Sequence, residues 1–337
     1  MKKLSVVIFS FLLIISCIDK LDQRRKEKLS YKTLQETEVN YLPLNEFASN
    51  KDWEFSSLTW YKDNLILLPQ YPSKVNGGAF LYMRKHEILE SIENKTSLEP
   101  KLIKVDMTNL ESFESHGSGF EAIVFKGDTV YVSIESMSLF ETVAVIMMGK
   151  IDSTSLSIKF NTDKKLELPN LSGKGNLSEE AIFVDKNYLY AIHESNSYKL
   201  PQFFQIPLDL KNYKKMPFPQ INYRITDATA LDDSLKFYAI NYFWEGDNSD
   251  FPLEDIYAEK WGIGKSHKQF NNVERIIELK LDAKSVKITE KEPIYLRLDK
   301  NGRNWEGIVK LDDLGFLVIT DKHPASILGF IPLERKN

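Results

Sequence analysis

The chain of 337 residues holds a single cysteine, Cys17. No intrachain disulfide can form, and a cysteine-rich zinc or iron–sulfur site is excluded with it. Histidine is almost as scarce. His86, His116, His193, His267 and His323 form no HxH or HxxxH pair, so a histidine-held metal is not indicated. Positive charge is not in excess: the formal net charge is −4, without the basic footprint of a nucleic-acid-binding protein. Long apolar runs are missing too, and Leu4–Ile15 is too short to span a bilayer as a helix. There is no nucleophile elbow, P-loop or dinucleotide fingerprint. Gly262-Ile-Gly-Lys-Ser266 has a P-loop's tail but lacks its first glycine and the strand before it, and Asp247, Asp250 and Asp255 do not follow EF-hand spacing. Neither βαβ alternation nor a long capped amphipathic helix is visible, which leaves an all-β fold.

What the chain does have is one hairpin written five times. Gly119 to Glu135 reads as two short strands around a Lys126-Gly127-Asp128 turn, with Glu121 and Glu135 at the open end. The pattern returns at Glu180 to Glu194, Asp227 to Asn241 and Glu306 to Asp321, and in weaker form at Ser56 to Gln70. Each copy begins one four-stranded blade, so the expected fold is a β-propeller of five blades; six is the alternative, because the last two copies are widely spaced. Outer strands are expected near Ala79–Met83 and Lys101–Asp106, Thr142–Ile151 and Ser155–Phe160, Phe203–Ile206 and Lys215–Phe218, Val273–Leu281 and Val286–Leu298. After the last hairpin only Ser326–Leu333 remains, enough for a third strand. Val39–Phe47 is therefore expected to close the ring by completing the last blade, leaving no open edge.

The N-terminus reads as an export signal. Met1-Lys2-Lys3 precedes the apolar run, and Ile14-Ile15-Ser16-Cys17 resembles the lipobox of bacterial lipoproteins, which implies lipidation of Cys17. The alternative is an ordinary secretion signal with a chance cysteine. On the lipoprotein reading, residues 1–16 are the signal, 17–36 a polar tether and 37–337 one propeller domain, held by acyl chains to the bacterial envelope and facing periplasm or cell surface. The domain is expected to be monomeric.

Antiparallel pairing puts the start of each first strand beside the end of the second, so the marked residues gather at one mouth of the channel. Ser56, Glu121, Glu180, Asp227 and Glu306 would face one another, with Glu135, Glu194, Asn241 and Asp321 around them. Carboxylates at this density repel unless they are protonated or share a cation, and hard oxygen donors suit calcium. The competing reading is that the glutamates bond water, strand-end amides, or Lys and Arg. His193, Arg303, Lys322 and His323 lie next to the carboxylates and could help to hold a small phosphorylated or anionic ligand, or simply neutralise them. The long insertion Tyr242–Phe270 leaves from the same mouth and is expected to fold over it, with Trp244 or Trp261 walling a ligand pocket; the alternative is that these aromatics pack against neighbouring blades. With a cation in place, Glu135 or Glu194 could position or deprotonate a water, making a hydrolase the alternative to a binding protein.

The openings Phe120-Glu-Ala-Ile, Glu180-Ala-Ile and Trp305-Glu-Gly-Ile resemble the EGI/EGL strand starts of the esterase-like phytase family of bacterial propellers. The chain is also similar to the calcium-activated nucleotidases (apyrases), five-bladed propellers. That resemblance implies one calcium held by a ring of Ser, Glu, Glu, Ser and Glu. Ser56, Glu121, Glu180 and Glu306 match the order; Asp227 departs from it, with Thr226 beside it as a substitute. The nucleotidase signatures outside the ring are not apparent here.

Overall fold

The computed structural model describes residues 28–114, 118–137, 142–170, 177–196, 201, 203–247, 255–300 and 302–333. Cys17, the apolar run before it, His116, Asp250 and most of the tether lie outside these residues. Among the described residues no helix is long and apolar enough to cross a membrane.

The five hairpins are the inner strand pairs of five antiparallel blades. From the axis outward, blade one is Phe55–Tyr61, Asn64–Pro69, Ala79–Arg84 and Lys101–Asp106. Blade two is Gly119–Lys126, Thr129–Met137, Thr142–Asp152 and Ser157–Leu168. Blade three is Glu179–Val184, Tyr188–His193, Phe203–Pro207 and Lys214–Lys215. Blade four is Arg224–Ala228, Lys236–Phe243 and Val273–Leu281, with Val286–Ile288 and Ile294–Leu296 outside. Blade five is Trp305–Leu311, Gly315–Thr320 and Leu328–Pro332, completed by Asn40–Leu42 from the N-terminal side, which pairs Leu42 with Leu328. The five-blade count and the closing strand are as the sequence predicts, and the wide gap before the last hairpin holds no sixth blade among the described residues.

Strand chemistry explains the ring. Residues along Asn64–Pro69 are apolar almost without a break because both faces of each blade are covered. Leu65 and Leu67 pack toward blade five, with Val309, Leu317 and Ile319, while Ile66 and Leu68 pack toward blade two, with Phe120 and Ile134. The same period-two division repeats around the ring, giving a separate apolar core between each pair of neighbouring blades. Two features escape the sequence reading. Lys85–Asn94 forms a helix, α1, whose Ile88 is buried against the blade one–blade five core. Upstream of the closing strand, Thr33–Leu34 and Glu36–Thr37 pair in parallel with Ile263–Gly264 and Tyr295–Leu296, strapping the N-terminal segment along blade four.

Candidate functional site

Every inner hairpin carries a β-bulge at its open end. The register slips between Phe55 and Ser57, Phe120 and Ala122, Glu179 and Ala181, Ile225 and Ala228, and Trp305 and Gly307. The extra residues are Ser56, Glu121, Glu180, the pair Thr226-Asp227, and Glu306. A bulge releases one residue from the alternation and re-aims its side chain. Four blades use it to place Ser56, Glu121, Glu180 and Glu306 around one cavity of about 290 Å³. Glu54, Gln70, Tyr71, Glu135, Asp321 and Lys322 line the same cavity, so the ring and much of the second row do meet at one mouth.

Blade four departs from the expected ring. Asp227 does not line the cavity. Its carboxylate accepts from Ala228 N at 2.8 Å, Ile308 N at 2.9 Å, Ser57 Oγ at 3.1 Å and Leu58 N at 3.5 Å. It therefore ties blades four, five and one together beneath the mouth. Thr226, in the bulge position proper, donates to the carbonyl of Trp305 at 2.6 Å. The residue blade four presents to the cavity is Arg224, which donates to Glu194 at 2.5 Å. Arg224, Glu54 and Asn304 stand two residues before the bulge positions of their blades, a third row that the spacing argument did not extend to.

Burial and mutual repulsion act on these acids together. Burial, opposed by the Gln70 amide at 3.0 Å and reinforced by Glu194 and Glu54, pushes Glu121 up to about 7. Burial with Glu121 and Glu194 nearby pushes Glu135 up to about 8. Glu180 and Glu306 are held well above the usual carboxylate range, first by burial and then by Glu194 and Asp321 respectively. Glu180 Oε2 is buried without a hydrogen-bond partner. Lys322 donates to Glu54 at 2.6 Å across the rim, and Asp321 accepts from the amide of His323.

Several residues expected to bind a ligand are committed elsewhere. Asn241 accepts from Arg275 Nε at 2.8 Å and does not line the cavity. Arg303 is buried against Glu274, with N–O contacts of 2.8 and 3.0 Å, and that carboxylate also takes the indole of Trp305. His193 is fully buried, accepts from Ser195 N at its Nδ1, and is pushed by burial down to about 4, so it is neutral and clamps no anion. Glu194 is held by Arg224 and does not itself line the cavity.

The insertion divides in two. Trp244 is about half exposed and lines a neighbouring cavity of about 540 Å³ beside the mouth. Trp261, by contrast, ends a short helix, α2 (Ile256–Trp261), stacks on Tyr257 at 5.3 Å and packs with Leu34 and Ile263 on the flank of blade four. Asp255 explains why: it caps α2 and grips Arg275 with both oxygens, at 2.8 and 2.9 Å. Residues 255–270 therefore brace the side of the propeller and do not overhang the mouth, and 248–254 lie outside the described residues.

No family model and no curated protein matches the chain. Solved structures similar to it include a bifunctional GH43-CE protein from Bacteroides eggerthii, 12% identical with a TM-score of 0.47 over 90% of this chain. A GH43B protein of a Bacteroides ovatus xyloglucan locus is 11% identical, with a TM-score of 0.45 over 88% of this chain. An alpha-L-arabinanase mutant from Cellvibrio cellulosa is 8% identical, with a TM-score of 0.46 over 90% of this chain and 94% of its own. The chain spans 35% and 51% of the length of the first two. At this level of likeness no chemistry carries over. The molecule is a five-bladed β-propeller by its own strand order and closure. The narrower resemblances to esterase-like phytases and calcium-activated nucleotidases find no support in these comparisons.

Proposed function

We propose that the protein is a lipid-anchored calcium-binding propeller of the bacterial envelope, monomeric, with its acidic mouth presented to a small anionic ligand. The observation that carries the metal is the set of bulges. Four blades spend a register defect to bring Ser56, Glu121, Glu180 and Glu306 to one axis. Three carboxyls there are displaced upward because burial and neighbouring acids outweigh the hydrogen bonds and the one guanidinium that oppose them. The orphaned Glu180 Oε2 is a donor that a cation would satisfy, and the all-oxygen set suits calcium. Among the described residues no three acidic side chains converge closely enough to form a metal group as they stand, so binding requires the glutamates to draw inward. Bound calcium would supply positive charge for a phosphate or carboxylate head at Arg224 and Lys322.

Calcium that binds only the folded state stabilises it by about 2.7 kcal/mol at a hundredfold excess over Kd. Melting temperature should rise with calcium and fall back with chelator, and Glu121→Gln or Glu180→Gln should blunt the rise. No shift, with no metal in the purified protein, would favour glutamates that serve structure alone. Anchoring is tested by Cys17→Ser, which should move the protein out of the membrane fraction; unchanged partition would refute it.

One observation favours hydrolysis as a second reading: Glu135 lines the cavity with its carboxyl pushed up to about 8, placed to exchange a proton near neutral pH. A phosphatase and esterase panel, with calcium and with chelator, tests it; turnover that survives Glu135→Gln would remove that role.

A further inference from the structure

Beside the acidic mouth lies the larger cavity, and Arg224 and Asn304 line both. The rest of its wall includes Tyr242, Trp244 and His323. Its character is different: the mouth is ringed by carboxylates, whereas this annex is walled by two aromatic rings and a proline loop. Trp244 is the one tryptophan of the molecule left mostly in the open, 51% exposed, while Trp305 is buried and Trp53, Trp60 and Trp261 are packed against core clusters. Leaving a tryptophan face in water costs free energy that burying it would recover. Its position is also prepared. The indole lies on Gly246, where a Cβ would stand 2.0 Å from a ring atom, so any larger residue there would lift the ring. Tyr242 behind it is buried, and Asn304 is fixed by its own backbone, which bonds both His323 and Asp321 at 3.1 Å.

We infer that the annex is the ring subsite of the mouth: the protein takes a small organic anion whose phosphonate-, phosphate- or carboxylate-like head reaches Arg224 at the junction and whose flat apolar ring stacks on Trp244. The inference rests on the calcium reading, because Arg224 is already paired with Glu194 and the cation supplies the further positive charge that holds the head. Arg224, paired with Glu194, stands at the boundary of the two cavities, so a head placed there meets its guanidinium. Aromatic stacking supplies the discrimination for a ring that the polar mouth alone lacks.

Phenylphosphonate and methylphosphonate share a head and differ in the ring. With calcium-loaded full-length protein, phenylphosphonate should quench tryptophan fluorescence and bind at least about tenfold tighter than methylphosphonate, a difference of about 1.4 kcal/mol. Trp244→Ala should erase that preference and the quench while leaving the calcium-induced rise in melting temperature in place. Trp244→Phe should restore part of the preference, which a merely structural role would not. Equal binding of the two phosphonates with the calcium shift intact overturns the ring subsite and leaves the calcium reading standing. Ring preference that persists unchanged in chelator overturns the dependence of the head on the cation, whatever the calcium shift shows. Absence of both the shift and the binding overturns both.

Discussion

At the scale of single residues, the distinction that matters is between acids that tie the fold and acids that load the mouth. Asp227 belongs to the first kind. Replacing it with alanine would strand three backbone amides and the Ser57 hydroxyl, and each buried unpaired group costs about 1–3 kcal/mol. Asp227→Ala should therefore lower the unfolding free energy by about 3 kcal/mol or more, read as a lower denaturant midpoint at an unchanged slope; a change under about 1 kcal/mol would contradict the tie. Glu121 and Glu135 belong to the second kind, and pH should reveal them. Their folded values, about 7 and about 8, lie above the ordinary 4.5, so the folded state holds protons that the unfolded chain has released. Their contribution is full below pH 4.5 and is lost as pH rises through 7 to 8. Chelated protein should melt several degrees lower at about pH 8.5 than at about pH 5.5, calcium should close the gap, and the double variant Glu121→Gln, Glu135→Gln should shrink it, leaving the part due to Glu180 and Glu306. A chelated protein that gains stability over that range would contradict the repulsion.

At the scale of elements, the bulges and the blade-four brace decide where side chains go. Hairpins and most outer strands were legible because alternating apolar residues and turn residues mark them directly, as in Thr129–Met137 and Val273–Leu281. A bulge was not, since one extra residue leaves composition unchanged and shifts everything after it. That slip is why Asp227 and Asn241 read as members of the ring and the second row, when register gives those places to Thr226 and Tyr242. Helix α1 was hidden because its N-cap is Arg84, with none of the usual capping residues, and its apolar positions are few. Arg275 gave no sequence signal at all, although it locks the insertion: Asp255, Asn241 and Tyr295 bond it and the Tyr257 ring lies 4.7 Å from its guanidinium. Arg275→Ala leaves the buried Asp255 carboxylate without its cation and should cost about 3–5 kcal/mol. It should also make segment 255–270 exchange amide protons faster, with the calcium shift preserved. A loss of calcium binding in that variant would mean that the insertion governs the mouth after all.

At the scale of the whole molecule, five blades closed by Asn40–Leu42 build a rigid ring whose axis is lined by acids at one end. Each inter-blade core is apolar and continuous, so the cost of crowding carboxylates at the mouth is met by packing elsewhere, the usual relation between a strained site and its scaffold. We propose that a cation belongs in that crowd. Titration calorimetry of calcium into chelator-stripped protein tests it most directly. One site per chain is expected, tighter at about pH 8 than at about pH 6 because protons compete for the same carboxylates, and lost in the double variant Glu180→Gln, Glu306→Gln. A chain that takes up no calcium, or takes it up equally well without those two carboxylates, would contradict the account.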